Sequence, residues 1–237
     1  MKRKAQTTQS EQLESTEDSI SVRKKPKPLN TSSSKSAEIE TAFIELDMPQ
    51  AQVYYYSPIF SLQDCGSYYS DLASLSHWSR PILKVHGHTS PAHRLTCSFG
   101  STPEMAYHYS GTSAKVDSND YPPSIKIIKE KIESILNAKF NFVLLNWYQN
   151  GNEYIGEHSD SEKGLVPQGI IASVSFGAPR TFIFKNKSDK KLTHKLILEN
   201  GSMLIMKGTT QQFWKHTIPK EKKIKDGRIS LTFRQLQ

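Results

Sequence analysis

The apolar positions of this chain change their period along its length. In "SLQDCGSYYSDLASLSHW" (61–78), Leu62, Tyr69, Leu72 and Leu75 fall at helical spacing, and Ser61 with Asp64 three residues later resembles a capping box. A second helix is predicted in "PPSIKIIKEKIESILN" (122–137), where Ile125, Ile128, Ile132 and Ile135 recur on one face behind two prolines. Both stripes suit a core and carry no chemistry. From Phe142 the period shortens to two, and eight short segments read as strands: "FVLLNWY", "YIGEH", "IIASVSF", "RTFIFKN", "HKLIL", "SMLIM", "FWKHTI" and "RISLTFRQL". Asn200–Gly201, between "KLILE" and "SMLIM", predicts a hairpin turn. Helices followed by short strands with no helical period between them predict an α+β fold whose core, over 142–237, is a double-stranded β-helix or jelly roll. Sites in such barrels lie in the open mouth between the sheets.

Towards the N-terminus the pattern disappears. Residues 1–42 hold no Phe, Tyr or Trp and are crowded with Ser, Thr, Lys, Glu and Gln. Such a segment buries too little apolar surface to offset its ordering entropy, so residues 1–47 are expected to be a disordered tail and 48–237 the folded domain. Within the tail "KRK" (2–4) and "VRKKPKP" (22–28) read as nuclear-localisation runs, which predicts the nucleus and leaves the cytoplasm open. The N-terminus has no apolar stretch of the secretory kind. Apolar runs stay far below the ~20 residues of a membrane span, so no membrane partner is expected. Two lone cysteines, Cys65 and Cys97, exclude a disulfide framework and a thiolate zinc site. The net charge of +8 is not confined to the tail, because residues 41–237 hold 23 Lys or Arg against 17 Asp or Glu. A basic surface of this kind suits a nucleic-acid partner.

The candidate chemistry sits among the strands. In "YIGEHSDSEKG" (154–164) His158 and Asp160 are two residues apart, so in extended chain both point to one face. A rim position is expected for Asp160. His216, in "QQFWKHTIP", lies on a late strand among apolar neighbours. Alone it reads as a core histidine. With the other two it completes two histidines and a carboxylate, the ligand set of non-haem Fe(II) oxygenases, which zinc could also occupy. In "RISLTFR" (228–234) Ile229, Leu231 and Phe233 alternate with Arg228, Ser230, Thr232 and Arg234. Two arginines on an inward polar face need anionic partners, and a short dicarboxylate between them would serve both.

Together with "NWY" (146–148), "GEHSD" (156–160), "IIASVSFGAPRTF" (170–182) and "GSMLIMKGTTQQFWKH" (201–216), these segments resemble the AlkB family of Fe(II)- and 2-oxoglutarate-dependent dioxygenases. The eukaryotic DNA-repair members are the most similar. The resemblance spans most of 80–237 and implies Fe(II), 2-oxoglutarate and O2. It implies Fe(II) on His158, Asp160 and His216. Asn146, Tyr148, Arg228 and Arg234 would bind 2-oxoglutarate, with Ser230 and Thr232 lining that end of the pocket. The implied activity is oxidative demethylation of 1-methyladenine and 3-methylcytosine in DNA, with release of formaldehyde, by a monomer whose partner is alkylated nucleic acid, DNA ahead of RNA. A nucleotide-recognition lid is expected over about 80–115. There Tyr107 and Tyr109 would cover the base, Arg94 and Glu162 would lie on the substrate side, and His86–Gly87 stand where duplex-acting members carry a wedge phenylalanine and a glycine. That departure leaves single-stranded DNA or RNA open. An RNA demethylase, a protein hydroxylase and a non-catalytic nucleic-acid-binding module remain alternatives.

Overall fold

The period-two segments form two facing sheets, and the two predicted helices cover the outer side of the larger one. The computed structural model describes residues 22–23, 41–85, 87–109, 112–117 and 120–237. In chain order the first half contains β1 (Val22–Arg23), β2 (Ala42–Leu46), β3 (Gln52–Ser57), α1 (Leu62–Ala73), β4 (Ile82–Val85), β5 (His88–Pro91), β6 (Leu95–Gly100), β7 (Ala106–Tyr109), β8 (Thr112–Lys115) and α2 (Pro123–Leu136). The second half contains β9 (Phe142–Tyr148), β10 (Ile155–His158), β11 (Ile171–Gly177), β12 (Arg180–Asn186), β13 (Thr193–Leu198), β14 (Ser202–Lys207), α3 (Thr210–Phe213), β15 (Trp214–Ile218) and β16 (Arg228–Arg234). The large sheet runs β1-β2-β3-β14-β11-β16-β9-β6 and the small one β10-β15-β12-β13. Their face-to-face packing is the jelly roll that the strand pattern predicts.

Strand β16 shows how alternation sorts the two faces. Ile229, Leu231 and Phe233 are wholly buried in one core with Ile125, Ile128 and Ile132 of α2. Each such side chain contributes about 1.5–3 kcal/mol through burial. The opposite face of β16 looks into the space between the sheets. There a second core of Ile171, Phe182, Phe184, Met206 and Trp214 closes one end and leaves the other open. Helix α1 is capped as its sequence predicts: Ser61 Oγ accepts from the Asp64 N–H at 3.0 Å. Its stripe differs in one place, because Leu62 is 80% exposed at the first turn while Cys65 takes the buried position.

Three further expectations are corrected. The folded chain starts before residue 48: Ala42–Leu46 pairs with β3, with Ile44 opposite Tyr55. Phe43 stacks on Tyr54 and packs against Tyr56, which supplies the aromatic surface that the preceding forty residues lack. Val22–Arg23 pairs with the outer edge of β2, and the rest of residues 1–40 lies outside the described residues. The Asn200–Gly201 turn does not close a hairpin. Strand β13 pairs with β12 in the small sheet and β14 with β11 and β3 in the large one, so the turn carries the chain from one sheet to the other. Gly201 adopts φ +73°, and its N–H and C=O bond Ser175 O and the Ile59 N–H. The segment expected as a lid is divided, because β6 in its middle pairs with β9 as an edge of the large sheet. Hairpins β4–β5 and β7–β8 flank it. Among the described residues no helix is long and apolar enough to cross a membrane.

Candidate active site

Strands β10 and β15 pair antiparallel with His158 directly opposite His216. The register slips between Ile155 and His158, so β10 carries a bulge that aims His158 and the following residues inward. Asp160 lies just past the end of β10. One ligand atom from each of His158, Asp160 and His216 falls within 4.8 Å of the others. Both imidazoles are held. His158 Nδ1 is 2.9 Å from Gly156 O, and since a carbonyl only accepts, Nδ1 carries the proton and the Nε2 lone pair is left facing Asp160. His216 lies flat against the Phe182 ring, with centroids 5.2 Å apart and planes 16° apart.

Charge sets the protonation of the three. Burial pushes His216 down to about 3 and also lowers His158, so both are neutral at neutral pH. Burial alone would raise Asp160, but Arg234 first, then His216 and His158, bring it down to about 2. Arg234 Nη2 donates to Asp160 Oδ2 at 2.8 Å, with both groups buried. Asp160 is therefore not at a rim as expected; it is 5% exposed and half of a buried ion pair. Two neutral imidazoles and one ionised carboxylate, close together and needing no deprotonation, suit a divalent metal.

A floor of polar side chains extends from the triad along β16 and β9. Arg228 stands opposite Tyr148, Ser230 opposite Asn146, and Thr232 opposite Leu144. Arg228 is 1% exposed; its Nη2 donates to Ser175 Oγ at 2.9 Å, while Nε and Nη1 have no partner. Burial lowers it to about 10, so it stays charged at neutral pH. A buried cation with two idle donors costs several kcal/mol unless an anion meets it, which suits the carboxylate of 2-oxoglutarate. Asn146 Oδ1 accepts from Arg94 Nε at 2.5 Å, leaving the amide hydrogens for a ligand. A cavity of about 370 Å³ joins the parts, lined by the triad, Arg94, Asn146, Tyr148, Glu162 and all four polar residues of β16.

Both arginines of β16 line this cavity, in different surroundings. Arg234 Nη2 pairs with Asp160 at the metal end, and Arg228 stands six residues away, opposite Tyr148. On the substrate side Arg94 and Glu162 reach the cavity, whereas Gly87, at φ +80° in the β4–β5 turn, is not among its lining residues. Tyr107 and Tyr109 fall within β7, and His86 lies outside the described residues.

Sequence reasoning missed a group behind the floor. Arg180, 1% exposed, donates through Nε to Glu221 Oε2 at 2.9 Å and through Nη2 to Glu153 O and Pro219 O. Its guanidinium lies 5.6 Å from the Tyr148 ring centre, so it ties the loops after β9 and β15 to the cavity wall. The available signal was parity, since Arg180 shares the inward register of Phe182 and Phe184. His93, beside Arg94, and Tyr154 also line the cavity.

Residues 52–234 match the 2OG-Fe(II) oxygenase superfamily. The chain is 32% identical over 209 residues to DNA oxidative demethylase ALKBH2 of Arabidopsis thaliana, covering 78% of this chain and 66% of that protein, just under two thirds of its length. It is 30% identical over 191 residues to DNA oxidative demethylase ALKBH2 of Mus musculus, covering 76% of this chain and 79% of the relative. The solved structure of OsALKBH1 superposes with a TM-score of 0.54 at 15% identity, over 77% of this chain and 96% of that one, and shares the fold. With the His-Asp-His cluster in the mouth of a jelly roll, these matches place the chain in the AlkB family of the 2OG-Fe(II) oxygenases, which use Fe(II), 2-oxoglutarate and O2.

Proposed function

We propose that this protein is an oxidative demethylase of alkylated DNA bases, acting on N-methyl groups such as those of 1-methyladenine and 3-methylcytosine. The observation that carries the reading is the joining, in one cavity, of a neutral-histidine and carboxylate triad to a buried arginine with two idle donors. The ALKBH2 relatives support DNA as the substrate class. When bound, Fe(II) and 2-oxoglutarate would supply the oxidising power: one oxygen atom of O2 ends in succinate with loss of CO2, and the other goes to the methyl carbon, which leaves as formaldehyde and, with loss of a proton, restores the free ring nitrogen of the base.

The side chains have separate tasks. His158, Asp160 and His216 would hold the metal, with Gly156 O and the Phe182 ring fixing the two imidazoles. Arg234 keeps Asp160 ionised and turned into the site. Arg228, over the Tyr148 ring at 5.5 Å, would take the cosubstrate carboxylate remote from the metal, and Ser230, Thr232 and Asn146 would line its path. Arg94 and Glu162 would face the base, which must leave its stack to reach this depth. Tyr107 and Tyr109 would cover it. The protein would act as a monomer in the nucleus, supported by the basic runs at 2–4 and 22–28. The test is formaldehyde release from matched oligonucleotides carrying 1-methyladenine in single-stranded DNA, duplex DNA and RNA. Release from methylated DNA is expected; none from DNA with release from RNA would transfer the assignment to an RNA demethylase.

A further inference from the structure

Two aromatic rings at the cavity mouth take no part in holding metal or cosubstrate. His93, just before β6, and Tyr154, just before β10, stack with centroids 4.4 Å apart and planes 19° apart. The Tyr154 N–H donates to His93 O at 3.2 Å and locks the two loops together. Lys220 Nζ sits 4.7 Å from the Tyr154 ring centre. A nearly parallel ring at 4.4 Å fills one face of Tyr154, so the ammonium takes the other face. The order is Lys220, Tyr154, His93. Tyr154 is thus covered on both sides, while His93 is exposed and its outer face has no ring against it among the described residues. Both rings line the same cavity as His158 and Arg94.

A flat, braced, exposed aromatic face beside a cavity that admits one base is suited to the next base along the strand. Base–aromatic stacking tolerates any base, because every base offers a π-face. We propose that His93, backed by Tyr154 and Lys220, is a stacking site for the nucleobase flanking the one in the cavity. A flanking base stacked on His93 has left its own duplex neighbours, so the site favours a single-stranded substrate. The proposal rests on the demethylase reading above and adds a second recognised nucleotide to it.

The test measures binding of the full chain, with Fe(II) and 2-oxoglutarate present and O2 excluded, to single-stranded oligonucleotides carrying one 1-methyladenine. Each immediate neighbour of the lesion is in turn a normal base, an abasic residue or the fluorescent base 2-aminopurine. Wild-type protein should bind the normal-flanked strand about 5- to 150-fold more tightly than the strand abasic at one of the two neighbours, the range of one base–aromatic stack. It should quench 2-aminopurine at that position. His93→Ala should lose both the preference and the quenching, and His93→Phe should keep both. Equal wild-type affinity for normal and abasic flanks would overturn the proposal. So would a His93→Ala variant that weakens both strands equally, since His93 would then only brace the two loops. Affinity that depends on the lesion but not on the flank overturns the stacking site alone; affinity indifferent to the lesion, with no formaldehyde released when O2 is then admitted, overturns the demethylase reading and the stacking site with it.

Discussion

Arg228 and Arg234 share one parity on β16, yet their surroundings give them different tasks. Arg228 has two buried N–H donors without a partner; with the cosubstrate carboxylate on them as proposed, Arg228→Ala would remove half of a desolvated ion pair, a loss of about 2–5 kcal/mol. KM for 2-oxoglutarate should rise about 30-fold or more while that for oligonucleotide changes little; steady-state kinetics with each varied in turn decides it. Arg234 is bound to Asp160, which separates the triad members in stability. Both His158→Ala and Asp160→Ala should abolish turnover. Asp160→Ala also strands the Arg234 charge and should cost about 3–5 kcal/mol, whereas His158, half-buried and neutral, should cost far less. Urea midpoints of the two variants check this. Acid should weaken the metal-free fold through the same groups. His216 has a folded pKa of about 3 against 6.5 in the unfolded chain, so below about pH 6.5 the unfolded state takes up a proton that the folded state refuses. Stability should then fall by up to ~1.4 kcal/mol per pH unit between about 6.5 and 3. Asp160, about 2 folded against 3.8 unfolded, adds a loss in the same direction from about pH 4 downward. His216→Phe should flatten the first part of the profile.

At the scale of elements, the chain crosses from the small sheet to the large one at Asn200–Gly201, where Gly201 is bonded to Ser175 and Ile59. Gly201 sits at φ +73°, and a Cβ there would meet Cys65 Sγ at 2.6 Å. Gly201→Ala combines a left-handed backbone, ~1–2 kcal/mol, with overpacking of ~1–3 kcal/mol, and its urea midpoint should drop accordingly. The same turn shows what is readable in a sequence. Its type was legible from the dipeptide, but which strands it joins was not, because sheet membership depends on long-range partners. All eight C-terminal strands were legible, since their alternation reports a face that is buried or polar. Strands β2 to β8 were not: "HTSP" is exposed throughout, and "QVYYYS" places tyrosines on both faces. In the site, the triad and the polar face of β16 were legible from spacing. The Arg234–Asp160 pair spans 74 residues, and the bulge in β10 has no local signal, so neither was readable without the fold.

For the whole molecule, the +8 charge and the cavity belong to one account of recognition, in which the surface gathers phosphates and the cavity selects the lesion. Affinity for a methylated single strand should therefore fall with salt, log K against log salt having a slope of about −0.7 per phosphate contact, while KM for 2-oxoglutarate, met by buried Arg228, should barely change. The loop from Pro219 to Gly227 carries Lys220, Lys222, Lys223 and Lys225, and Glu221 anchors it to buried Arg180. Chemistry and recognition are thus tied through one wall. The most direct measurement is stoichiometric. With a single-stranded DNA carrying 1-methyladenine, the wild-type protein should yield formaldehyde, succinate and repaired adenine in equal amounts, and His158→Ala should yield none of them. Repair that proceeds without 2-oxoglutarate, or undiminished in His158→Ala, would contradict the account.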